Sequence, residues 1–377
     1  MKVLIDFSQL PISKVGVGVY GLNLVRNLSF TKDFIIYVLI QDDDDSLDSI
    51  ESLAIILVRV DSNRFRKLFH RFYLEQIYIP YLVFKLDIDI VHSLHYSFPI
   101  MHSAKKVVTM CDMIFFKYPE LHLRRKVLYF RFFIWLSTFI ANKVICISKS
   151  TEQDYLKHFR VAPKLTTVIE LGKDESYTPN IERERVDLVL RKYNITMDYI
   201  LFIGTIEPRK NIVNLIFSFA KLVATGCHLH LVIVGKKGWH YDEVFSLVIK
   251  LRLEDKIIFT GFVDEDEKPP ILVGAKIFVY PSIYEGFGIP VLESLACGTP
   301  TITSNISSMP EVAGNAAVLI NPLNVDEIYL AMKNLLNDKE LCDELRARGL
   351  KQSSRFNWRL TAERTVITYR SVLELND

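Results

Sequence analysis

Tyr280 to Pro300 reads YPSIYEGFGIPVLESLACGTP, and the order of its parts decides the fold. The run KIFVY, from Lys276, ends at Tyr280 with the continuous hydrophobicity of a strand buried on both faces. A glycine-bearing loop follows, then Pro290 at the start of a helix that Gly298 stops. A buried strand that turns through glycines into a helix is the unit of a doubly wound parallel sheet. It also brings free backbone N–H groups and the positive end of a helix dipole to one spot, a nest suited to a diphosphate. Gly286 and Gly288 let backbone approach a ligand closely, while Glu285 and Glu293 flank the nest with acceptors for hydroxyl groups. Taken alone, the same letters also describe an ordinary strand-loop-helix junction with two surface glutamates.

Working outward, the same rhythm recurs on both sides. YILFIG from Tyr199, LHLVIVG from Leu229, KIIFTG from Lys256 and TPTITS from Thr299 complete one parallel sheet. KVLID at the start, FIIYVLI from Phe34, IDIVHS from Ile88, KKVVTM from Lys105 and KVICIS from Lys143 make another. The class is therefore α/β, with two Rossmann-like doubly wound domains. The charged stretch Leu171 to Lys192, with its Gly and Pro, reads as the connection between them. The expected division is 1–175 for the first domain, 176–197 for a linker, 198–355 for the second domain and 356–377 for a closing helix. The acid run Asp42 to Asp45 reads as a solvated loop rather than a metal site.

A length of 377 residues agrees with two domains. Half the residues are hydrophobic and 24% are charged, which excludes disorder. A net charge of +2 excludes a surface that attracts nucleic acid as a whole. Five cysteines, an odd number without Cys-x-x-Cys spacing, suggest neither a disulfide framework nor a zinc site and fit a reducing cytosol. MKVLIDFSQL shows no charged n-region and apolar h-region, so no signal peptide is expected. The most apolar stretch, Phe132 to Ala141, is about half the roughly 20 residues that span a bilayer.

Glu285, seven residues, then Glu293, inside EGFGIPVLESLACGTP, resembles the donor-binding signature of family 4 of the retaining glycosyltransferases. Gly204 to Asn211 (GTIEPRKN) resembles that family's phosphate-clamping loop, and Pro310 to Ala317 (PEVAGNAA) and Phe356 to Trp358 (FNW) resemble its later landmarks. The resemblance implies the GT-B fold, in which two Rossmann-like domains face across a cleft and the last helix crosses back to the first. It implies that Glu293 accepts hydrogen bonds from ribose hydroxyls, that Glu285 holds hydroxyls of the transferred sugar, and that Arg209 and Lys210 grip the diphosphate. Val263, Gly286, Phe287, Gly288 and Ile289 join the donor site by the same resemblance.

The clamp also has a physical argument. No Asp-x-Asp metal motif occupies a suitable loop, so two cations beside Pro208, at the carboxyl edge of the sheet, would stabilise the leaving group where other transferases use magnesium. No metal and no cofactor beyond a nucleotide-sugar co-substrate is expected.

In the first half, Ser13 to Leu28 (SKVGVGVYGLNLVRNL) resembles the family's N-terminal glycine loop, which places Gly16 and Gly18 at the donor phosphate. Val107 to Glu120 (VVTMCDMIFFKYPE) resembles a strand-end motif where close relatives carry His-Asp, with Cys111 at the histidine position beside the donor sugar. Asp112 is a candidate to orient acceptor or sugar, with capping of the local backbone as the alternative. His92 and His95 face the cleft on one reading and are structural on the other.

Between Ala54 and Gln76 the acids are Asp61 and Glu75, against Arg59, Arg64, Arg66, Lys67 and Arg71. Phe65, Leu68, Phe69 and Phe72 fall at i, i+3, i+4 and i+7, the pattern of a helix lying on an anionic bilayer and equally of a core-facing helix with a basic outer surface. Leu121 to Thr151 has no acid, six Lys or Arg, and the cluster YFRFFIW, which favours the membrane. Arg64–Phe72 and Leu121–Phe139 are the expected contacts, on the cytoplasmic inner face of the plasma membrane, with a lipid-linked glycan as acceptor. GTIEPRKN, Val234 to Trp239 (VGKKGW) and EGFGIP look most like the branch that uses GDP-mannose in bacterial polysaccharide and lipopolysaccharide assembly. A UDP-hexose or UDP-N-acetylhexosamine donor is the second reading. A UDP-N-acetylglucosamine 2-epimerase of the same fold and a sugar-binding protein without activity complete the alternatives.

Overall fold

The computed structural model describes residues 1–10, 14, 16–28, 34–52, 54–65 and 68–374, with backbone alone at 68 and 69. Ser13, Val15, Arg66 and Lys67, which enter the expectations above, lie outside the described residues. The chain forms two compact units, one of Met1–Gly172 with Asn357–Asp377 and one of Lys173–Phe356.

The first unit carries a seven-stranded parallel sheet of β1 (Lys2–Asp6), β2 (Ile35–Gln41), β3 (Ile55–Val60), β4 (Ile90–Ser93), β5 (Lys105–Met110), β6 (Lys143–Cys146) and β7 (Thr166–Val168). Their spatial order is β3-β2-β1-β4-β5-β6-β7. Val3, Leu4 and Ile5 of β1 are all fully buried, so consecutive residues pointing to opposite faces are covered, as a sheet flanked by helices requires. The order reverses between β1 and β4, the kind of place where open α/β sheets leave a crevice.

The helix Trp358–Glu374 belongs to this unit and packs on the helix Val17–Leu28 and on β5. His92 ties it down. Its Nδ1 meets the Tyr369 hydroxyl at 2.7 Å and its Nε2 meets Thr109 Oγ1 at 2.8 Å. Both ring nitrogens are occupied and burial holds the pKa at about 3, so His92 is a neutral structural residue.

Two expectations for this unit change. Asp44 is buried and ion-paired with Lys14, and Asp42 accepts from the Ser62 N–H, so the acid run is half structural. Arg59 sits on β3, Phe65 is buried against Leu4, Leu39 and Val60, and Arg71 turns inward to Asp6 at 2.9 Å. The stretch Arg64–Phe72 therefore does not present one outward apolar face. Phe72 is exposed, as are Tyr73, Ile77, Tyr81 and Phe84.

The second unit holds a six-stranded parallel sheet of β8 (Tyr199–Ile203), β9 (His230–Val234), β10 (Ile257–Gly261), β11 (Ile277–Tyr280), β12 (Thr301–Ser304) and β13 (Val318–Ile320), in the order β10-β9-β8-β11-β12-β13. Here the order reverses between β8 and β11. Part of the stretch 176–197 is the helix Arg183–Lys192, which buries Val186 and Val189 and packs on the helix Lys268–Gly274. A Cβ at Gly274 would lie 2.7 Å from the Tyr199 hydroxyl and 3.1 Å from Leu190, so a glycine is what allows that approach. The amphipathic spacing of the valines, not the charge around them, decides this segment.

Candidate active site

The loops after β8 and β11 meet at the reversal point of the second sheet. After β8 the chain makes a short 3-10 turn, Pro208–Lys210, which Pro208 opens and a left-handed Asn211 (φ 59) closes. Asn211 donates from Nδ2 to the Pro281 carbonyl at 3.1 Å, tying this turn to the loop after β11. Arg209 and Lys210 thereby point at Glu285.

Four charges form one cluster. Arg209 Nη1 donates to Glu285 Oε2 at 2.6 Å, and Lys210 Nζ donates to Glu285 Oε1 at 2.6 Å. Arg209 Nε lies 2.6 Å from Glu207 Oε1. Tyr280 and Ser282 donate to Glu285 Oε1 at 2.9 and 2.7 Å. Burial favours the neutral acid, but Arg209 and Lys210 outweigh it and bring the Glu285 carboxyl down to about 2. Burial, then Arg209, pushes the Lys210 ammonium toward losing its proton, against the pull of Glu285 and Glu207.

The main chain of the Glu285–Phe287 loop is held from below. Ser307 Oγ donates to the Glu285 carbonyl at 2.6 Å and accepts from its N–H at 3.1 Å, while Ser308 Oγ donates to the Glu285 and Phe287 carbonyls at 2.9 and 2.8 Å. The loop ends at Gly288, whose φ of 108° only glycine adopts readily, and whose Cβ would fall 2.2 Å from Met309 Cε. The helix Ile289–Ala296 starts there without a side-chain cap; Pro290 has no N–H to satisfy, and the Val291 and Leu292 N–H groups donate to the Gly288 carbonyl at 3.0 and 3.2 Å. Phe287 packs edge-on against Phe356 at 5.8 Å, and Val263, just past β10, is buried.

Glu293 lies in that helix and is buried. Burial raises its carboxyl to about 8, with Lys268 opposing, Glu265 adding and a hydrogen bond from Tyr177 lowering it. Glu293 and Glu285 thus differ sharply in proton affinity although only one loop and about one helical turn separate them.

In the first unit, Gly16 takes a positive φ of 52° ahead of the helix Val17–Leu28, and a Cβ at Gly18 would touch only the flexible stem of Lys14. Gly21 is a packing residue, because a Cβ there would come within 3 Å of Leu10, Leu94 and Phe7. Cys111 is buried with its thiol 3.7 Å from the Leu94 carbonyl, and burial pushes its pKa far up, so it is a neutral thiol. Asp112 accepts from the Tyr96 hydroxyl at 2.5 Å and from the Ile114 N–H at 3.0 Å, the geometry of a local cap. His95 lies edge-on between Tyr96 and Phe130, and burial lowers its pKa to about 3.

Tyr280, Ser282, Glu207, Ser307 and Ser308 were not singled out by sequence. The first two fall within the decisive stretch and Glu207 within GTIEPRKN, so strand-end position was the available signal; the two serines lie outside both and gave none. Among the described residues, no group of three or more His, Cys, Asp or Glu has the geometry of a metal site.

Comparison with known proteins places this geometry. A model described as Glycosyltransferase Family 4 matches residues 15–177, and one described as Glycosyl transferases group 1 matches residues 190–352. O-antigen chain mannosyltransferase B of Escherichia coli is 32% identical over 277 residues, 73% of this chain and 72% of that protein. O-antigen chain mannosyltransferase RfbU of Salmonella typhimurium is 25% identical over 338 residues, 88% and 90% of the two chains. A glycosyltransferase from Rickettsia africae has the same fold, with a TM-score of 0.76 over 100% of this chain and 99% of its own, at 18% identity. With both halves matched in order and the paired glutamates and cations gathered at one strand reversal, the chain belongs to the family 4, group 1 glycosyltransferases.

Proposed function

We propose that this glycosyltransferase moves mannose from GDP-mannose, with retention of configuration, onto a lipid-linked glycan during synthesis of a bacterial surface polysaccharide. The observation that carries the sugar is the similarity to O-antigen mannosyltransferases along most of the chain. The clamp, Arg209 and Lys210, is oriented by Glu285 and Glu207 of the protein itself, with Lys210 buried and Arg209 partly so. Little reorganisation then remains when charge builds on the departing diphosphate, the condition under which such cations act most strongly. The acceptor hydroxyl attacks the sugar carbon on the face the diphosphate leaves. Its proton passes to a donor phosphate oxygen, so the new glycosidic bond, the cleaved bond and the proton balance without a protein base.

Glu285, anchored by the two cations, faces the transferred sugar, and Glu293 with Gly286, Phe287, Gly288, Ile289 and Val263 surrounds the nucleotide and its phosphates. Within the first unit, the family resemblance assigns Gly16 and Gly18 to a donor phosphate, Cys111 to the sugar and Asp112 to orienting the sugar or the acceptor. The acceptor's lipid is met at an anionic membrane surface. Leu128, Phe132, Trp135 and Phe139 are exposed at helical spacing along Arg124–Ile140, whose first turn is Arg124, Arg125 and Lys126. No helix among the described residues is long and apolar enough to cross a membrane.

A thermal-shift panel of GDP-, UDP-, ADP- and dTDP-sugars tests the donor. GDP-mannose should raise the melting temperature most, and a UDP-hexose doing so would replace this reading with the second one.

A further inference from the structure

Tyr280 ends a strand that a phenylalanine would serve equally well as packing. Its ring is fully buried and lies nearly parallel to Phe202 (centroids 5.6 Å apart, 16°) and Phe278 (5.9 Å, 15°). This column fixes the ring through β8 and β11. A buried hydroxyl is costly unless it is paired, and this one is paired twice, with the Lys210 cation of the clamp and with the Glu285 carboxylate that anchors it. It accepts from Lys210 Nζ and donates to Glu285 Oε1 at 2.9 Å.

We propose that Tyr280 is a positioning residue for the diphosphate clamp, its phenol holding Lys210 and Glu285 in one geometry and helping to keep Lys210 an ammonium where the leaving group forms. The proposal rests on the reading of Lys210 as part of that clamp. The groups facing Lys210 are Glu207 and Arg209 from its own turn, and Tyr280 and Glu285 from β11 and the loop after it. Burial and Arg209 favour loss of the Lys210 proton, whereas Glu285 and Glu207 favour its retention. A phenol oxygen that accepts from the ammonium acts in the same direction as the carboxylates. The phenol itself stays protonated, because burial and Glu285 drive its pKa well above the ordinary value. It is therefore a fixed dipole with its lone pair toward the cation and its proton toward the carboxylate.

Tyr280→Phe removes one oxygen and keeps the stacked ring. The expected result is kcat lower by about tenfold with donor KM within about twofold, since positioning is lost while ground-state contacts remain. The alkaline fall of kcat should also begin at lower pH, because the ammonium has lost an acceptor. Inorganic pyrophosphate titrated by calorimetry from pH 7 to 10 gives a readout independent of nucleoside and sugar. Its affinity should fall away at lower pH in the variant than in the wild type. Failure of the GDP-mannose reading leaves those pyrophosphate curves separated. Superimposed pyrophosphate curves and an unmoved alkaline limb, in a variant that melts within a few degrees of the wild type, would overturn the role of Tyr280 even if mannose is transferred.

Discussion

At the scale of single residues, the two glutamates of the decisive stretch hold their protons with opposite tendencies because their surroundings differ. Arg209→Ala and Lys210→Ala are predicted to lower kcat by about 10²- to 10³-fold, roughly 3–4 kcal/mol each, with little effect on nucleoside affinity. Glu293→Ala should do the reverse and act mainly on donor KM, because ribose contacts are alike in ground and transition states. Steady-state kinetics would show the roles exchanged if Arg209→Ala only raised KM while Glu293→Ala only lowered kcat. The paired glutamates and cations were legible in sequence, as letters at the right spacing. Their mutual pairing was not, because a loop's spacing does not say which side chain of a neighbouring loop it will meet. The same limit applies to Cys111 and His92, whose partners Leu94 and Tyr369 come from the segment just after β4 and from a helix 277 residues away.

The same two carboxyls set opposite pH dependences. Glu285 has a folded pKa lowered from 4.5 to about 2, so the stability it contributes is present above 4.5 and is lost as pH falls toward 2. Glu293 has a folded pKa raised from 4.5 to about 8, so its contribution is present below 4.5 and is lost as pH rises to about 8. Denaturant midpoints of Glu293→Gln measured between pH 5 and 8 should slope less steeply downward than those of the wild type. A parallel pair of curves would show that Glu293 does not bind its proton this tightly.

At the scale of elements, the turn into the helix Ile289–Ala296 depends on one glycine. Gly288→Ala combines a left-handed backbone with a Cβ thrust against Met309, and a loss of roughly 2–4 kcal/mol is expected from strain and overpacking together. Met309→Ala in the same chain should restore part of that loss, since only the steric share is relieved; chemical denaturation of the double-mutant cycle measures it. An additive pair would show that the contact does not carry the cost. Continuous apolar runs make most of the parallel strands legible, β8 and β11 above all. β3 was hidden because Arg59 was counted with the cations of the segment that follows. The helix Arg183–Lys192 was hidden because charge density masked two valines three residues apart.

At the scale of the whole molecule, each sheet reverses at one point, β1 with β4 and β8 with β11, and the chemistry-bearing loops of the second unit gather at its own reversal. That topology followed from the restarting strand rhythm, whereas the inward turn of Arg71 and Phe65 required the tertiary packing to be seen. Phe132→Ser with Phe139→Ser should weaken sedimentation with vesicles containing anionic phospholipid by at least tenfold and leave the melting temperature nearly unchanged, because both rings are exposed. Undiminished binding would remove this face from the membrane assignment. The most direct measurement is transfer of radiolabel from GDP-mannose, in excess EDTA, into lipid-extractable glycan of bacterial membranes, set beside the same assay with labelled UDP-hexoses. Mannose label entering the lipid fraction at an undiminished rate in EDTA is the predicted result. Label entering only from a UDP-sugar, or transfer abolished by EDTA and restored by manganese, would contradict it.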